Sequence, residues 1–193
     1  MKYVKILGLL AVAAAAMMAF AGTASATYVT STTGGATSEA PIHAINEGGH
    51  VVLANSIANI ECASTSEGKV ESDKVGDAKV AATGILTKLE FTGCTNSWHV
   101  TVNNAGTLSV NWSAGHDGLA TSNEANVTTT RFGVTCNYET SNTPIGTVTG
   151  GNPATLDINA SIPIAAGSSF LCGSGNAKWS GSYVTTAALY IAP

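Results

Sequence analysis

Four cysteines divide the chain into two matching frames, and this layout constrains the fold more than any other feature of the sequence. Cys62 to Cys94 and Cys136 to Cys172 each open in a β-patterned segment, and each closing cysteine is followed shortly by a tryptophan, Trp98 or Trp179. Four cysteines allow three connectivities. The duplicated layout favours Cys62 with Cys94 and Cys136 with Cys172, because each bond then closes a comparable loop inside one frame. Metal ligation is the rival use of cysteine, but no CxxC knuckle is present, and evenly used cysteines in a small exported chain form disulfide frameworks.

Export is read from the first 26 residues. Lys2 and Lys5 precede an apolar run from Ile6 to Phe20, and Ala24-Ser25-Ala26 supplies the small residues of a cleavage site before Thr27. This is the tripartite pattern of a secretory signal, and its apolar run falls short of the roughly 20 residues needed to span a bilayer. The expected organisation is therefore a signal peptide over 1–26, an extended or loosely attached segment over 27–41 (TYVTSTTGGATSEAP), and one β domain over 42–193. No later stretch is long and apolar enough to be a transmembrane segment, so the expected location is extracellular or the cell surface.

Charge narrows the partners. Without the two signal lysines, Lys69, Lys74, Lys79, Lys88, Arg131 and Lys178 stand against twelve Asp and Glu. A nucleic-acid binder needs a clustered basic face that releases counterions. The four lysines from Lys69 to Lys88 are instead interleaved with Glu67, Glu71, Asp73, Asp77 and Glu90, which reads as a solvated strand surface of mixed sign.

From His43 onward, short β-patterned runs alternate with Gly, Asn, Asp and Pro, the signature of an all-β sandwich or barrel. Strands are expected at 79–82, 86–91, 126–132, 134–138, 146–149, 154–162, 169–172, 178–185 and 188–191. The run 51–60 suits either a strand pair or a short helix. Trp98, Val100 and Val102, then Leu108, Val110 and Trp112, alternate with polar residues on either side of Asn103-Asn104-Ala105-Gly106, which predicts a hairpin with both tryptophans on its buried face. About ten strands and two disulfides point to an antiparallel two-sheet β-sandwich, immunoglobulin-like or jelly-roll-like. The terminal Leu189-Tyr190-Ile191 suits an edge strand.

Chemistry is sparse. His43, His50, His99 and His116 are scattered without the spacing of a zinc site, and there is no GxSxG elbow. The turns at Asp73-Gly76-Asp77 and His116-Asp117-Gly118 are acidic but lack the spacing of a calcium loop. The acids Asp117, Asp157 and Glu90 do not pair by sequence as a glycosidase couple would. No catalytic residues, metal or cofactor are therefore expected. Trp179, Tyr138 and Tyr183 are the candidate ligand contacts, as exposed aromatic platforms for a carbohydrate-type ligand, while a ring packed near the disulfide in the core is the favoured reading of Trp179. The leading expectation is a non-enzymatic structural or surface protein that self-associates or joins the cell envelope, with 27–41 completing a neighbour's sheet edge. An extracellular binding module is the alternative.

The set MKxxKxLGLxAVAAAA, C-x(5)-GKVES, LxFTGC, FGVTCxY, GTxTGGNPATLDINA, SSFLC and AKWSGSY resembles a group of small secreted β-rich proteins of actinobacteria. It covers nearly the whole of the chain after the signal. The rhythm of Cys, Gly and Trp is also similar to that of secreted alkane-oxidation-activator and surface-filament proteins of proteobacteria. The resemblance implies secretion and a β fold, and brings no activity with it.

Overall fold

The computed structural model describes residues 27–31, 39–72 and 82–193. The signal segment, the middle of the N-terminal segment, the expected strand start at 79–81 and the Asp73-Gly76-Asp77 turn lie outside the described residues. Among those described, the chain forms thirteen strands: β1 (Tyr28–Thr30), β2 (Glu39–Ala54), β3 (Asn59–Glu71), β4 (Ala82–Thr92), β5 (His99–Asn104), β6 (Thr107–Ala114), β7 (Asp117–Asn123), β8 (Asn126–Arg131), β9 (Val134–Glu139), β10 (Thr143–Thr149), β11 (Thr155–Ile162), β12 (Ala177–Thr185) and β13 (Tyr190–Ala192). The segment 51–60 resolves as a strand pair, with the Asn55 side chain accepting from the Ile57 and Ala58 N–H groups at the turn. Residues 169–172, expected as a strand, form a 3-10 turn at Phe170–Cys172.

The all-β reading with two disulfides holds, with bonds Cys62–Cys94 and Cys136–Cys172. In place of two open sheets, eight strands close into a barrel. Once β5, β8 and β9 are set aside, β2, β3, β4, β6, β7, β10, β11 and β12 follow one another around the ring in chain order, and β12 pairs back onto β2. Local alternation fixes which side chains point inward, but not which strands meet. Closure depends on β2, sixteen residues long, whose ladder with β3 is interrupted between Ile45 and Val51, at Gly48 and Gly49 (φ 77° and 96°). Such bulges bend a strand, and here the bend lets β2 pair with β3 on one side and β12 on the other.

The expected hairpin of residues 98–112 is a corner. β5 pairs with β8 in a separate three-stranded sheet, β5-β8-β9, while β6 pairs with β4 and β7 in the barrel. Gly106 turns the chain at φ 72°, its N–H bonded to the Asn104 side chain, and sits hard against the backbone of Asn123 and Ala125. That close approach leaves no room for a Cβ and uses glycine's conformational freedom to redirect the strand. The alternation itself holds: Trp98 is buried, and Trp112 packs partly buried against the core.

Each end of the barrel is covered. At one, β1 pairs with β13 (Val29 opposite Ile191, both sealed from solvent), so residues 28–30 of the N-terminal segment are tied into the fold, as are 39–41 through their pairing with 69–71. The ribbon is fixed by Trp112 N–H to Thr27 Oγ1 at 2.9 Å and Ile191 N–H to His116 O at 3.2 Å. At the other end, β9 joins the segment after β11 through Ala165 N–H to Asn137 O at 2.7 Å and the Cys136–Cys172 bond. Outside the barrel, Lys88 bridges Glu90 and Glu67 and Lys69 bridges Glu39, the mixed-sign strand surface read from the sequence.

Candidate ligand cavity in the barrel

The alternation of β12 sends Trp179, Gly181 and Tyr183 to the barrel interior. Gly181 is required between the two aromatics, because a Cβ there would lie 2.7 Å from Val51 Cγ1. Tyr183, only 4% exposed, donates from Oη to Ser64 Oγ at 2.7 Å, and Ser64 Oγ in turn donates to Glu90 O at 2.8 Å. Burial pushes the Tyr183 phenol up to about 12, against the smaller opposing effect of the Ser64 hydrogen bond. Tyr138, on β9, is 2% exposed, and its Oη accepts from Asn55 Nδ2 at 2.8 Å. Burial raises its pKa too, with the Asn55 contact opposing.

The three aromatic residues singled out in the sequence therefore lie together, but not as a surface platform. Tyr138 and Tyr183 are interior residues, and Trp179 is partly buried against the core. The expectation of exposed sugar-stacking rings is corrected by period-two geometry: each sits at an inward position of its strand.

What these rings line is hollow. A cavity of about 80 Å³ is bounded by Val29, Leu108, Ile145, Trp179 and Tyr183 among others. A second, of about 40 Å³, is bounded by Leu53, Phe91, Val127, Tyr138 and Trp179 among others. Leu89, Ala125 and Trp179 belong to both walls, so the two chambers meet at the indole. The lining is carbon almost throughout, and its hydroxyls are engaged: Tyr183 with Ser64, and Ser122 with Thr140 at 3.0 Å. An apolar void of this kind stays dry and accepts apolar guests. The Trp179 indole N–H is buried without an acceptor among the described residues.

Polar candidates are dispersed. Asp117 accepts from Gly150 N–H at 3.2 Å, Glu90 is held by Lys88, and Asp157 is exposed on β11. The four histidines are exposed, His116 stacking edge-on with Tyr190 at 5.3 Å. Among the described residues, no group of three His, Cys, Asp or Glu side chains could hold a metal ion, and no helix is long and apolar enough to cross a membrane.

The cavities were not legible in the sequence, because small inward residues such as Ala44, Gly84, Ala125 and Ala154 look like ordinary strand positions. Only the closed ring turns them into empty space. No family model matches the chain, and neither a curated protein nor a solved structure matches it.

Proposed function

We propose that this chain is a secreted, non-enzymatic binding protein whose barrel interior holds a small apolar ligand. The observation that carries the reading is the pair of carbon-lined chambers meeting at Trp179. An eight-stranded barrel is at the size where side chains either fill the interior or leave room for one small guest. Here Ala44, Gly84, Ala125 and Ala154 leave the room. Burial of an apolar guest is worth about 25 cal/mol per Å² removed from water, which suits a ligand without charge.

Titration of the disulfide-bonded protein with benzene, read by tryptophan fluorescence and by methyl chemical shifts, tests this. Saturable changes at Trp179 and Ile145 are expected. Ala44→Val, which adds carbon at the wall of the larger chamber, should weaken binding while holding or raising stability by about 1 kcal/mol. Absence of saturable binding in the wild type would sink the proposal.

A second reading, self-assembly by strand addition at a cell surface, is favoured by one observation. Among the described residues β1 pairs with β13 over three positions, and the same short strand can pair with a neighbour's edge. Sedimentation at high concentration, with and without residues 27–31, decides it: loss of oligomers on deletion is expected, and a monomer in both cases excludes it.

A further inference from the structure

The barrel wall splits on one side. Among the described residues, β4 pairs with β6 from Ala82 to Ile85, and above that point its edge facing β5 carries no ladder. The chain returning from β4 runs beside it as β5, but β5 gives its hydrogen bonds to β8. Two features fix this divergence. One is the irregularity of β4 at Thr87, where Glu67 pairs with Lys88 and Gly68 with Leu86; the other is the Gly106 corner. A groove of about 600 Å³ lies between the two strands, lined by residues 86–92 and 100–105.

Its floor and rim differ in kind. Leu86, Leu89 and Ala105 line both the groove and the larger chamber, while Leu89, Phe91 and Val100 line both the groove and the smaller one. The rim carries Thr87, Thr92, Thr101, Asn103, Lys88 and Glu90. Groove and chambers are thus separated by one layer of side chains, which forms a wall of both.

We infer that the β4–β5 groove is the mouth of the barrel and that the ligand is a single-chain amphiphile with an uncharged, hydroxyl-rich head, its chain in the chambers and its head on the rim. The chain half of this inference rests on the proposed apolar interior. Chambers of about 80 and 40 Å³ admit one short chain only. The head is assigned by charge. Lys88, the one cation on the rim among the described residues, lies 3.0 Å from Glu90 and 3.9 Å from Glu67, so the trio carries a net negative charge and repels carboxylate or phosphate heads. The Glu90 hydrogen bond raises the Lys88 pKa. Opposite, the Thr101 hydroxyl can donate and accept, and Asn103, whose Nδ2 donates to Asn126 and Thr128, presents its Oδ1 as an acceptor.

The test compares benzene, hexanoate and monohexanoin, each below its aggregation concentration, on the disulfide-bonded protein. Monohexanoin is expected to bind about ten-fold more tightly than hexanoate. It should shift the amide resonances of Thr101 and Asn103, which benzene leaves in place. Glu90→Gln removes the net charge of the trio and should narrow the preference for monohexanoin over hexanoate about three- to five-fold. Equal wild-type affinity for hexanoate and monohexanoin, or groove amides unmoved by monohexanoin, overturns the mouth and the head class while benzene binding leaves the apolar interior standing. If benzene also fails to bind, the interior reading falls and this inference falls with it.

Discussion

Tyr183 Oη donates to Ser64 Oγ at 2.7 Å inside the barrel, linking β12 to β3 past the intervening β2. Ser64 passes the link on to the Glu90 carbonyl of β4, so a single chain of hydroxyls fastens three staves. Tyr183→Phe removes one buried hydrogen bond but leaves Ser64 its other partner. The expected cost is therefore about 0.5–1.5 kcal/mol in urea denaturation.

The same residue sets an alkaline limit. Its phenol titrates near 10 when exposed and is pushed to about 12 in the fold, burial being the main cause. Between those values the unfolded chain has lost this proton and the folded chain has kept it, so stability, fully present below about pH 10, falls as pH rises toward 12. Stability of Tyr183→Phe should fall less steeply over that window, Tyr138 contributing in the same direction to both proteins. Parallel slopes for the two proteins would contradict the assignment.

The disulfides close loops of similar length, with partners 32 and 36 residues apart. On chain entropy, replacing either pair by alanine should cost about 3–4 kcal/mol. The local consequences differ. Cys94 follows the free half of β4, so its loss should broaden the resonances of residues 86–92, whereas loss of Cys172 should release the turn at Phe170–Cys172 from β9. Thermal melts with amide spectra of the two double variants check both points. Identical spectral changes would refute the local assignment.

Phe132 occupies the tip of the β8–β9 hairpin at φ 48°, followed by Gly133 at φ 79°, and is 86% exposed. A left-handed backbone costs a residue other than Gly or Asn about 1–2 kcal/mol. The Arg131 guanidinium, 4.7 Å from the ring, returns about 0.5 kcal/mol at so exposed a site. Relief outweighs loss, and Phe132→Asn should raise stability by about 0.5–1 kcal/mol in thermal or chemical denaturation. A destabilised variant would show the cation–ring contact to be the stronger term.

Sequence pattern carried the in-or-out sense of the 98–112 segment and the cysteine pairing. Leu108, Val110 and Trp112 do alternate inward, and the four cysteines pair within their frames. It did not carry partnership. The stretch from Trp98 to Trp112 has the alternation of a hairpin, yet its two arms serve different sheets, because the close approach of Gly106 to Asn123 and Ala125 is a contact with a distant part of the chain. The seven residues of β7 were read only as the polar turn at His116-Asp117-Gly118, since Leu119 and Ala120 are too few apolar positions to announce a strand without β6 and β10 beside them. Tyr138, Trp179 and Tyr183, expected as exposed platforms, lie at inward positions instead, because strand pairing decides which face becomes enclosed.

The pairing of β1 with β13 sets an order on folding. A chain that emerges from a pore N-terminus first presents Tyr28–Thr30 early, but the strand that completes their ladder is among the last to appear. Barrel closure waits as well, because β2 must hold one edge open until β12 arrives. Such long-range pairings are slow to form and leave strand edges exposed in the meantime. The interval between the emergence of β1 and that of β13 is therefore when the protein is most open to mispairing with a second copy, and when the apolar interior can be filled without passing through a mouth at all.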